Sequence, residues 1–330
     1  MFDWQKERTK RLVTGFIILC VLAAAFGLRQ VTPFIFDGFV IILVWFCVFE
    51  VFKAKKLDSR GVRDYYIYPY IAISYLTFLL GILVDNPFPF WLHIVLQLVI
   101  LFVLCLYVYI MSYTDKEFLK ECKLKKKDVG KASFGVVLDY MKLIFYPAFL
   151  LFLLVPINHI ARWAEVIPEG TVDAVPVVSL GLFALLLVFV ITIMTDTAAY
   201  LTGKLLKGKK LVPKISPGKT ISGAVGGLFG GVIGSLTVLL VMTTSTTLQQ
   251  FLTEQVGYAN AVLWVFAVIG LVGAVITQAG DIYASWVKRK NGIKDFGKWL
   301  PGHGGLMDRF DGLAFNSAFI AFVFMIIVLV

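Results

Sequence analysis

Nine apolar runs divide the chain, at residues 12–28, 34–52, 67–84, 88–113, 134–157, 176–195, 223–244, 260–279 and 313–330. Each is close to the ~20 residues that a helix needs to cross a bilayer. None carries the polar face of a surface helix, and none shows the period-2 alternation of a barrel strand. The pattern predicts an all-α, polytopic helical membrane protein with about nine transmembrane helices. The first run also fits the apolar core of a signal peptide, with Ala23, Ala24 and Ala25 as its processing site. The run continues past that point, which favours a span.

The polar positions between the runs set an orientation. Of the 31 Lys and Arg residues, 28 fall in the N-terminal segment and in every second loop after it. The densest of these are the lysines between 116 and 131, those between 204 and 219, and the basic residues between 288 and 309. The intervening loops hold only Arg29 and Arg162, and Lys142 lies inside a run. Loops rich in Lys and Arg stay in the cytoplasm. The N-terminus is therefore expected to be cytoplasmic and the C-terminus outside.

Composition agrees with this reading. The chain is 59% hydrophobic and 16% charged, against about 45–50% and about 25% in soluble domains. Mean hydropathy is +0.86. A soluble enzyme, a disordered chain and a collagen-like chain are excluded. The formal net charge of +10 follows mainly from the cytoplasmic loops. The four cysteines lie in runs or in a cytoplasmic loop, with neither metal-ligand spacing nor a disulfide framework.

Residues 1–157 read as an N-terminal scaffold of five spans. Their loops are basic but hold no dense polar constellation, and the lysines between 116 and 131 suit the anionic leaflet surface or act as an orientation signal. Asp139 and Lys142, three apart, are expected to form an ion pair within one helix. Residues 158–330 read as the catalytic region, with four spans and polar segments at their cytoplasmic ends. The run at 223–244 carries Gly223, Gly226, Gly227, Gly230, Gly231 and Gly234. This overlapping small-xxx-small pattern predicts close helix packing.

The candidate chemistry lies in three segments, Asp196 to Tyr200, Ser216 to Gly223 and Gly280 to Asp311. Gly218-Lys219-Thr220 is like the end of a P-loop, but Pro213 stands where that motif's first glycine falls. Ser216, Lys219 and Thr220 still offer hydroxyl and ammonium donors ahead of a helix, a setting for phosphate. Asp281 follows an apolar run, and Asp308 and Asp311 share a helix face leading into the last one. Three carboxylates amid Lys288, Arg289, Lys294 and Arg309 suit a divalent metal and a polyphosphate. Gly304 and Gly305 beside His303 would let backbone N–H groups approach a phosphate.

Ser285-x-x-Lys288-Arg289, Lys294-Asp295 and Pro301-x-His303-Gly304-Gly305-x-x-Asp308-Arg309-x-Asp311 resemble the C-terminal motif of the phosphatidate cytidylyltransferases (CDP-diacylglycerol synthases). The two upstream segments also resemble that family, with Gly218 and Ser222 where it often has Lys and Glu or Gln. The resemblance implies that CTP and phosphatidic acid give CDP-diacylglycerol and pyrophosphate. It implies Mg²⁺, in a site of one or two metals, with Asp281 and Asp308 as leading ligands and Asp311 as a third ligand or an outer carboxylate. Asp281, Asp308, Lys294 and Arg309 would be catalytic. Ser216, Lys219, Thr220, Lys288, Arg289, His303, Gly304 and Gly305 would bind substrate, and Asp196 would support the site. The expected partners are membrane lipids and a second copy in a homodimer, with no nucleic acid. The absence of a targeting extension before the first run favours a bacterial inner (plasma) membrane location. The competing readings are a polyprenol kinase, a synthase of CDP-activated archaeal-type lipids, and a secondary transporter of an anionic solute.

Overall fold

The computed structural model describes residues 4–55, 67–83, 90–114, 129–160, 178–242 and 259–329. Helices dominate: α1 (Trp4–Arg29), α2 (Pro33–Ala54), α3 (Ile67–Leu83), α4 (Phe90–Thr114), α5 (Val129–Asn158), α6 (Val178–Leu206), α7 (Ile221–Met242), α8 (Ala259–Lys290) and α9 (Met307–Leu329). A two-stranded antiparallel hairpin, β1 (Lys210–Val212) and β2 (Ser216–Thr220), joins α6 to α7. Among the described residues, eight helices are long and apolar enough to cross a membrane, and α3 is a shorter apolar helix. Where the residues are described, each apolar run of the sequence lies on a helix. Arg162, Cys122 and the lysines at 116–127 fall outside the described residues.

The outer faces are apolar: Leu12, Phe16, Phe102 and Trp264 are each at least 67% exposed, as lipid-facing positions require. α5 is broken by a π-helical segment, Ile144–Phe149, where Tyr146 leaves helical geometry ahead of Pro147. Pro147 lacks the N–H that a continuous helix would use. Asp139 and Lys142 form the expected intrahelical pair at 3.3 Å.

α7 sits between α6 and α8 and meets each through a different glycine face. A Cβ on Gly230 would fall on the Met194 carbonyl of α6, and one on Gly231 would lie 2.6 Å from the Gly270 carbonyl of α8. Ser235 donates to the Phe266 carbonyl at 2.7 Å across the same seam. The glycine stripe therefore serves helix packing. Gly231→Leu is expected to cost about 1–3 kcal/mol through overpacking, read as a lower melting temperature in detergent.

A buried polar node ties the helices at one end of the bundle. Arg29 of α1 donates to Asn158, Asn158 donates to Asp37 Oδ1 at 2.8 Å, and His159 Nε2 meets Asp37 Oδ2 at 2.8 Å. Each polar group there finds a partner, as a low-dielectric site demands. The candidate site lies at the opposite ends of α1 and α2.

Candidate active site

Five elements meet at that second end: the C-terminal parts of α6 and α8, the hairpin, and the N-termini of α7 and α9. They enclose a cleft of about 840 Å³. Both α6 and α8 run on beyond their apolar runs, and these extensions carry Asp196 and Asp281 into the cleft. α9 begins at Met307, which places Asp308 and Asp311 in its first turns.

The hairpin delivers Lys219 and Thr220. Thr220 caps α7, its Oγ1 accepting the Gly223 N–H at 3.0 Å, as an N-cap threonine does. Ser222 Oγ accepts the Gly208 N–H at 3.2 Å. The hydroxyl at 222 therefore closes the neck of the hairpin, which accounts for serine there in structural terms.

Acids and bases are interleaved. Lys219 Nζ donates to Asp281 Oδ2 at 3.0 Å. Lys288 Nζ donates to Asp308 Oδ1 at 2.8 Å and lies 3.7 Å from Asp311 Oδ2. Asp308 Oδ2 accepts two backbone N–H groups, from Phe296 and Gly305, each at 2.9 Å. Arg309 lines the cleft while its Nε and Nη2 donate to the His303 carbonyl at 3.1 and 2.7 Å. Burial, then the charge of Arg309, hold the His303 imidazole below its ordinary pKa.

The expected residues divide into two groups. Asp196, Lys219, Thr220, Asp281, Asp308, Arg309 and Asp311 line the cleft together. Ser216, Lys288, Arg289, Lys294, His303, Gly304 and Gly305 are not on its wall. Ser216 opens β2 opposite Val212. Arg289 donates to the carbonyls of Ile215 and Ile293, linking the hairpin to the loop after α8. Lys294 is exposed. Gly304 has φ +86°, a conformation glycine adopts without strain, and a Cβ there would lie 3.1 Å from Asp308 Oδ2. Its role in the structure is to shape the turn.

Sequence reasoning passed over other residues of the wall. Lys204, Lys207 and Lys210 extend its basic side, and Gln278 donates to the Ala224 carbonyl at 3.2 Å. It also treated α1 and α2 as remote scaffold. Thr14 of α1 donates to the Pro301 carbonyl at 3.0 Å, and Phe46 of α2 packs edge-on against Trp299.

Among the described residues, no group of three His, Cys, Asp or Glu side chains is gathered to hold a metal. Of the three expected ligands Asp281, Asp308 and Asp311, Asp308 is the most enclosed, with Oδ1 held by Lys288 and Oδ2 by two backbone N–H groups. Asp196, Asp281 and Asp311 remain directed at the cleft and repel one another. Mg²⁺ characteristically takes one or two carboxylates and completes its shell with water and substrate phosphates. Asp281 and Asp311 fit that demand.

Fold and cleft define a polytopic helical membrane protein with a mixed acidic and basic cleft at one end of its bundle. The chain belongs to the Cytidylyltransferase family, whose model matches residues 9–327. It is 38% identical over 138 residues to a phosphatidate cytidylyltransferase of Brucella suis, covering 42% of this chain and 45% of that protein. It is 42% identical over 135 residues to the enzyme of that name from Staphylococcus saprophyticus, covering 41% and 46%. The chain thus spans under half the length of these curated relatives in the aligned region.

Proposed function

We propose that this protein is a CTP:phosphatidate cytidylyltransferase, forming CDP-diacylglycerol and pyrophosphate from CTP and phosphatidic acid. The observation that carries the reading is the meeting of Asp196, Asp281 and Asp311 with Lys219 and Arg309 in one cleft at the bundle end, in a chain of this family.

In this reaction a phosphatidate oxygen bonds to the α-phosphorus of CTP, and the bond from that phosphorus to the β-phosphate oxygen breaks. The nucleophile is already anionic near neutral pH, so charge compensation matters more than a general base. Mg²⁺, held by Asp281 and Asp311, would supply Lewis-acid stabilisation of the phosphates and the leaving pyrophosphate. Lys219 and Arg309 neutralise phosphate charge, and Lys204, Lys207 and Lys210 extend the basic wall for the nucleotide tail. Lys288 holds Asp308 and approaches Asp311, keeping the first turn of α9 in register. The cleft is read as facing the cytoplasm, because Lys204, Lys207, Lys210, Lys219 and Arg309, from two of the basic loops, line it, and such loops stay in the cytoplasm. This suits a bacterial inner membrane enzyme that draws CTP from the cytosol.

Purified protein supplied with CTP and phosphatidate in mixed micelles should place a cytidine label in the lipid and release the γ-phosphate label as pyrophosphate. Transfer of the γ-label to a polyprenol, without cytidine incorporation, would replace this reading with a lipid kinase. Removal of divalent cations with EDTA should stop the reaction, and added Mg²⁺ should restore it.

A further inference from the structure

Glu50 lies outside the cleft, near the C-terminal end of α2, in the otherwise uncharged stretch Phe46-Cys47-Val48-Phe49-Glu50-Val51-Phe52. Its side chain is buried, with the residue only 3% exposed. Oε2 accepts the Met307 N–H at 2.9 Å. Oε1 has no hydrogen-bond partner among the described residues. Met307 opens α9, and its N–H is one of the donors that a helix cannot satisfy internally. A carboxylate there also opposes the positive end of the helix dipole.

Two backbone segments, at 297 and at 305–307, close around this one side chain. A Cβ on Gly305 would lie 2.6 Å from Glu50 Oε2, and one on Gly297 would collide with Oε1. The two glycines leave the space that the carboxylate fills. An apolar side chain could fill the same gap without a buried charge or an unpartnered oxygen, so packing alone does not call for an acid. What only an acceptor provides is a grip on the first N–H of α9. The residues just beyond that grip are Asp308, Arg309 and Asp311. Asp308 in turn gathers Gly305, Phe296 and Lys288.

We propose that Glu50 is a positioning residue for the reaction, reaching from α2 to fix the first turn of α9 and so the placement of Asp308, Arg309 and Asp311. This inference rests on the cytidylyltransferase reading. Misplacement of reacting groups by about 1 Å can cost about 100-fold in rate.

The test compares Glu50→Ala, Glu50→Gln and Gly297→Ala in the full chain, with CTP and phosphatidate micelles. For each variant, kcat, KM for CTP, melting temperature in detergent and tryptic cleavage after Lys294 and Lys298 are measured. Glu50→Ala should lower kcat by about 10- to 100-fold and speed cleavage of the loop, with KM within about threefold of wild type. Glu50→Gln keeps an acceptor oxygen and should restore kcat to within about threefold. Gly297→Ala, which displaces the Glu50 carboxylate without removing it, should repeat the kcat loss at a near-native melting temperature, and decides the matter if Glu50→Ala does not fold. Near-native kcat in Gly297→Ala and in folded Glu50→Ala would overturn the proposal, as would folded Glu50→Gln as slow as Glu50→Ala. A wild-type chain without cytidylyl transfer would sink the functional reading instead. Cleavage would then still decide whether Glu50 holds the loop: an unchanged rate in Glu50→Ala and Gly297→Ala would overturn that as well.

Discussion

Asp281→Asn should lower Mg²⁺-dependent CDP-diacylglycerol formation by about three orders of magnitude while the protein melts at its normal temperature in detergent. Among the described residues, Asp281 meets one ion-pair partner, Lys219 at 3.0 Å, and the two side chains are 21% and 27% exposed. Loss of a pair this open to water costs little stability, about 1 kcal/mol or less. The carboxylate oxygens that a metal would use are lost, however, and an amide is a poor replacement for a hard cation. Initial rates across a Mg²⁺ titration and a thermal melt provide the two readouts. A variant with near-normal rate at ordinary Mg²⁺ would remove Asp281 from the proposed metal site.

Asp308→Ala should behave differently, losing both activity and stability. Its side chain is 4% exposed and that of Lys288 is 11% exposed, and they lie 2.8 Å apart. Removing one member of a buried pair typically costs about 3–5 kcal/mol, because the other charge is left without compensation. The Phe296 and Gly305 N–H groups would lose their acceptor as well. The melting temperature should fall clearly and the rate should drop by at least about 100-fold. Adding Lys288→Met to Asp308→Ala removes the stranded charge. The double variant should regain much of the lost stability and none of the activity. A single Asp308→Ala variant that melts like the wild type would contradict the structural hub described here.

The two carboxylates look alike in the sequence: each follows or precedes an apolar run and each sits in one dense motif. Nothing in the spacing distinguishes the open acid from the enclosed one, because that difference arises from the turn at 296–305 folding back onto α9. The spans themselves were legible, since a bilayer imposes length and polarity on every crossing segment. Their ends were less so. α6 and α8 continue as helices well past the point where charge begins, because a charged face at a membrane edge does not stop a helix whose backbone bonds are made internally. The hairpin was not foreseen either, as Lys210 to Thr220 is too short and too polar for a strand pattern to show. Glu50 was the least legible of all. A single acid in an apolar run carries no periodic signal, and its partners lie about 250 positions further along the chain.

The two glycine faces of α7 bear on how a lipid reaches the cleft. With backbone set against backbone on both sides, α7 cannot slide or tilt without parting carbonyls from the surfaces that cover them. The seams α6–α7 and α7–α8 are therefore the stiff part of the frame, and no gate can open through them cheaply. On the proposed reaction, an acyl chain coming from the bilayer would have to reach the cleft outside these two seams. The selectivity of such an enzyme for its lipid would then be set outside the glycine-packed core of the fold.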